Sequence, residues 1–72
     1  MKIIKIRDEY IKLGQALKLA DLVGSGAEAK IIIEEGNIKI NGEVCKQRGK
    51  KLHPGDIFEN DEIQVKVESY DN

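Results

Sequence analysis

Four basic side chains fall within six positions, Lys46-Gln47-Arg48-Gly49-Lys50-Lys51, and no acid interrupts them. Cations clustered on a folded surface form the electrostatic footprint of a phosphate-backbone binder. The plainer alternative is a solvated loop, as most charge runs are. Placement favours the first reading, because the run leaves a predicted hairpin on the same side as Lys39. A second candidate is Gly24-Ser25-Gly26 at the predicted start of a helix. Helix N-termini offer unpaired amides and a partial positive charge, which suit an anion, and Lys30 follows one turn on. Taken alone, though, these residues read more simply as a helix end at Gly24 and a cap at Ser25. The motif is too short for a dinucleotide fingerprint and lacks a Walker lysine-serine pair.

The remaining chemistry-bearing residues are isolated. His53 has no second ligand or triad partner in the sequence pattern, and Cys45 reads as a small core residue rather than a nucleophile. Asp56, Glu59, Asp61 and Glu62 lack the alternating-Asp loop that calcium requires, so they read as solvated acids. No nucleophile–base pair is visible, which argues for no enzyme, no metal and no cofactor. Two Tyr and one Phe are scattered along the chain. That pattern argues against single-strand binding by base stacking and towards shape and backbone reading of folded RNA.

The elements that must position these residues are legible from periodicity. Lys2 to Ile6 is β-branched and loosely alternating, a short strand. Leu13, Ala16, Leu17 and Ala20 mark one face of a helix from Tyr10 to about Leu22. Ser25 with Glu28 forms a capping box for a second helix, Ala29, Ile32 and Ile33 give it an apolar stripe, and Gly36 suits its end. Asn41-Gly42 between alternating residues predicts a hairpin with a two-residue type I′ turn, pairing Ile38 with Cys45 and Lys39 with Val44. Ile38, Ile40 and Cys45 then face the core while Lys39, Lys46 and, less comfortably, Val44 face solvent. Leu52 to Asp56 reads as a turn, Ile57-Phe58 as the start of a strand, Asn60-Asp61 as a turn, and Ile63 to Val67 as a last strand. Ser69 to Asn72 reads as a frayed tail. This order predicts an α+β fold, with two helices packed on one side of a small antiparallel sheet.

At 72 residues the chain is a single domain with a modest core. One cysteine excludes a disulfide framework, and the longest apolar run, Ile31 to Ile33, excludes a membrane span or a signal-peptide core. The expected location is the cytoplasm, and the starting Met fits a complete chain. The net charge of −1 hides an asymmetry: residues 1–54 carry eleven Lys/Arg against seven Asp/Glu, and residues 55–72 carry one against six. Such polarity bears on partners rather than on fold.

The ordered set Ser25-Gly26-Ala27-Glu28-Ala29-Lys30, Ile33, Gly36, Ile38 to Gly42 and Lys51 to Asp56 resembles the S4-like RNA-binding domain. The resemblance runs from about Tyr10 to Val67. Leu13 to Asp21 and Arg48 to Leu52 look most like the small stand-alone members of the YaaA/YbcJ type. It implies the αL fold, two helices against a small bent antiparallel sheet with a hairpin arm, and binding of structured ribosomal or transfer RNA without catalysis. Carried over residue by residue, the RNA contacts would be Lys18, Ser25, Gly26, Lys30, Lys39, Asn41, Lys46, Arg48, Lys50 and Lys51, with Asn41 open to a purely turn-forming role. The sequence departs from the family in its slightly acidic balance and in carrying Lys12 where many members have Arg. An assembly or chaperone-like factor acting as a monomer follows, with ribosomal proteins as further partners. The alternative is a protein-interaction module that uses the same fold to bind an acidic protein partner.

Overall fold

A computed structural model describes residues 1–70. In chain order the elements are β1 (Lys2–Ile6), β2 (Ile11–Lys12), α1 (Leu13–Leu19), α2 (Gly26–Glu34), β3 (Ile38–Ile40), β4 (Glu43–Val44), β5 (Lys51–Leu52), β6 (Ile57–Asn60) and β7 (Ile63–Ser69). Five strands form one sheet in the order β1-β7-β6-β3-β4, and β2 and β5 form a separate two-stranded ladder. The α+β architecture expected from the sequence is the observed one.

α2 forms as its capping residues dictate. Ser25 is extended and its hydroxyl accepts from the Glu28 amide at 3.2 Å. The Glu28 carboxylate reaches back one residue further than the usual box and accepts from the Gly24 amide at 2.8 Å. Gly36, with φ of 81°, follows the helix in the left-handed conformation that costs glycine least.

α1 is shorter than its periodicity suggests. Ile11 and Lys12 are drawn into β2, opposite Leu52 and Lys51, so the helix begins at Leu13. It ends at Ala20, after which Asp21 takes a left-handed conformation with φ of 62°. The Lys2 ammonium donates to the Ala20 carbonyl, a cation placed where the helix dipole favours it.

The β3–β4 hairpin has the expected register, Lys39 opposite Val44 and Ile40 opposite Glu43, with Asn41 and Gly42 at φ of 50° and 89°. Val44 is indeed exposed, at 54%. The β6–β7 hairpin pairs Asn60 with Ile63, which moves its turn one residue on, to Asp61-Glu62. Asp61, at φ of 56°, accepts the left-handed position that a tight two-residue turn demands.

The antiparallel expectation holds for β3, β4, β6 and β7 and gives way at β1, which runs parallel to β7 with Lys2 opposite Val65 and Ile6 opposite Ser69. A parallel pair needs a crossover connection, and here the helices and the intervening hairpin together supply it. Ile4 and Ile6 of β1 lie in the core with Leu13, Leu17, Ile33 and Phe58. Of the tail expected to fray, Ser69 is the last residue of β7, and the Tyr70 amide donates to the Ile6 carbonyl at 3.1 Å. The Tyr70 ring lies 4.6 Å from the Arg7 guanidinium, and residues 71–72 lie outside the described part. Among the described residues no helix is long and apolar enough to cross a membrane.

Candidate nucleic-acid interface

The first amides of an α-helix have no partner within the helix. α1 has no side-chain cap, and the basic loop satisfies these groups instead. The Leu13 amide donates to the Lys50 carbonyl at 2.8 Å and the Gly14 amide to the Arg48 carbonyl at 3.1 Å. Within the loop, the Lys50 amide donates to the Gln47 carbonyl at 3.2 Å. Backbone bonds therefore fix the basic run against the helix start, and its side chains are left for other work. Gly14 makes the close approach possible: a Cβ there would stand 2.8 Å from Arg48 Cγ.

Two shallow grooves result. The first, of about 370 Å³, lies between Lys12, Gln15 and Lys18 on the α1 side, Gly26 at the start of α2, and Arg48-Gly49 of the loop. Three cations line it and no acid does. The second, of about 690 Å³, follows the hairpin arm past Asn41, Cys45, Lys46 and Lys50, with Glu43 as its one acid. Cys45 is half-buried, its thiol 3.7 Å from the Gln47 carbonyl.

The residues carried over from the resemblance divide accordingly. Lys18, Gly26 and Arg48 meet in the first groove, with Ser25 adjoining as the cap of α2. Lys30 stands one turn beyond Gly26 and is exposed. Lys46, Lys50 and Asn41 share the second groove. The aliphatic stem of Lys46 runs past Gly36, where a Cβ would meet Lys46 Cε at 3.3 Å. Lys39 lies on the outer face of the sheet between Val44 and Glu59, on the side away from the core. Lys51 holds its ammonium 4.8 Å from the centre of the Tyr10 ring.

Two of these positions carry structural duties. The Asn41 side chain donates to Asp56 at 3.1 Å and accepts from the Ile57 amide at 3.0 Å, stapling the β3–β4 turn to the start of β6. Asp56 also accepts from the His53 amide at 2.7 Å, and the His53 ring stands 3.8 Å from it. At α2, Ser25 already holds one N-terminal amide, that of Glu28, and the Glu28 carboxylate, bonded to the Gly24 amide just before the helix, offsets part of the dipole's positive end. The positive charge lining the first groove is that of Lys12, Lys18 and Arg48.

Lys12 and Gln15 are the groove residues the sequence reading passed over. A signal existed, since Gln15 and Lys18 stand three residues apart on α1 and so share one face, with Lys12 just before the helix. Among the described residues no cluster of His, Cys, Asp and Glu could hold a metal ion.

The "Probable ribosome maturation protein RlbA" of Bacillus subtilis (strain 168) is 46% identical over 56 residues, which cover 78% of this chain and 79% of that protein. The S4 domain family model matches residues 4–68, from the first core residue of β1 to nearly the end of β7. With the helix pair, the hairpin arm and the basic loop all inside that span, the chain belongs to the S4 domain family.

Proposed function

We propose that this chain binds structured RNA through its phosphates and acts by binding alone, as a cytoplasmic, monomeric factor in ribosome assembly. The observation that carries this reading is the acid-free groove between Lys12, Lys18 and Arg48, whose loop wall is fixed by backbone bonds to α1. A loop whose backbone is already fixed presents its cations to phosphates without first being ordered, so less of the Coulomb gain is lost to backbone entropy. Lys50 and Lys46 on the neighbouring groove extend the positive track along the hairpin arm. The similarity to a probable ribosome maturation protein supports ribosomal RNA over transfer RNA as the target. Ribosomal proteins are further partners in this reading, met through the acidic residues of β6 and β7.

The test is crosslinking and pull-down from cell extract, with RNA and protein identified together, followed by a salt titration on the enriched RNA. A discrete ribosomal RNA segment is expected, with affinity falling on the order of 100-fold between about 50 and 200 mM salt for roughly four neutralised phosphates. Protein partners that survive nuclease, with no RNA enriched, would replace this reading with that of a protein-interaction module.

A further inference from the structure

The ladder of β2 and β5 presents an outward face with an unusual composition. Its register sets Lys12 opposite Lys51 and Ile11 opposite Leu52, and just beyond the two strands Tyr10 and His53 bring their rings together. Ile11 and Leu52, the alternate positions, turn inward, and Leu52 is completely buried. The outward face therefore holds two ammonium groups and two rings. The Tyr10 and His53 ring centroids lie 6.3 Å apart at 53°, and Lys51 places its ammonium over Tyr10. Tyr10 is 37% exposed and the His53 side chain 60%.

Like charges directly opposite on two strands repel, and nothing about the short ladder requires lysine at both positions. An anion between Lys12 and Lys51 would remove the repulsion. Lys12 also lines the first groove, so such an anion would continue the same phosphate track. Beyond it, Tyr10 and His53 offer flat surfaces at the end of that track. Aromatic side chains stack on unpaired bases with little regard to sequence, because every base has a π-face.

We propose that this face binds one unpaired nucleotide of the RNA, its base stacked on the Tyr10–His53 pair and its phosphate held between Lys12 and Lys51. The proposal rests on the RNA-binding reading above and adds to it: the target is a helix with an adjoining loop or bulge, not a plain duplex. In the free protein Lys51 covers one face of Tyr10; in the complex the phosphate draws that ammonium away and the base takes its place. Asp56 is engaged in the turn, where it accepts from the His53 amide and the Asn41 side chain.

The test compares two probes, a ribosomal RNA stem–loop with 2-aminopurine in its loop and the blunt duplex of the same stem. Tyr10→Ala is expected to weaken stem–loop binding by about tenfold or more and to leave duplex binding unchanged, with Tyr10→Phe restoring it. Wild-type protein should quench the 2-aminopurine, and Tyr10→Ala should not. His53→Ala, at an exposed side chain, provides a second variant with the same expected direction and an unaltered thermal melt. Equal losses on both probes, or no loss on either, overturn the stacking site while leaving phosphate binding in place. Failure of the wild type to bind either probe would overturn the RNA reading itself.

Discussion

Gly14 governs Arg48 by having no side chain. Alanine there would improve helix propensity by up to about 1 kcal/mol, yet its Cβ would fall 2.8 Å from Arg48 Cγ. Because the clash strikes the stem of Arg48 near its root, the whole guanidinium must swing. Gly14→Ala is therefore expected to keep the fold and lose one phosphate contact. The salt dependence of RNA binding, measured as the slope of log affinity against log salt, should shrink by about 0.9. Asn41 makes the opposite prediction. Its left-handed backbone and its two side-chain bonds are structural, so Asn41→Ala should cost about 1–3 kcal/mol in chemical denaturation. RNA affinity of the folded fraction should stay within about twofold, as expected of a residue whose amide is already occupied.

At the scale of elements, what could be read in advance was what is local. Asn41-Gly42 fixed its hairpin because a two-residue turn determines its own register, and Ser25 with Glu28 announced α2 because capping acts within four residues. Ser25→Ala should accordingly lower stability by about 1 kcal/mol, seen as a fall in melting temperature of about 4–8 °C. The start of α1 was illegible for a complementary reason. Leu13 and Gly14 are capped by carbonyls of residues 50 and 48, groups every residue possesses, so no side-chain signature marks the bond. The same distance in sequence hid the Tyr10–His53 pair: scattered aromatics become neighbours only once β2 finds β5. Of the site, the basic run could be read directly, whereas the groove it forms with Lys12 and Gln15 depends on that long-range docking.

For the molecule as a whole, the division of charge along the chain is carried only in part into space, since Lys39 stands opposite Glu59 and Lys5 opposite Glu68 across the sheet. The cationic grooves lie along α1, the loop and the hairpin arm, while Glu59, Asp61, Glu62 and Glu68 belong to β6, β7 and their turn. A net charge of −1 is thus compatible with an anionic ligand, because affinity follows the local field more than the sum. Reversing Lys50 and Lys51 together to Glu should reduce RNA affinity at least about tenfold. Since both are exposed, the melting temperature should move by less than about 4 °C. Unfolding of that double variant would mean that the two lysines hold the structure rather than the ligand. Removing residues 1–6, by contrast, should abolish cooperative thermal unfolding, because Ile4 and Ile6 leave the core with β1.

The parallel pairing of β1 with β7 has a consequence for the timing of synthesis. Lys2 is made well before its partner Val65, with both helices and the β3–β4 hairpin between them. Until β7 has cleared the exit tunnel, β1 waits with Ile4 and Ile6 uncovered, and a nascent chain stalled before residue 63 cannot complete its sheet. The domain therefore closes late, and an emerging chain lacks the finished sheet that backs its grooves.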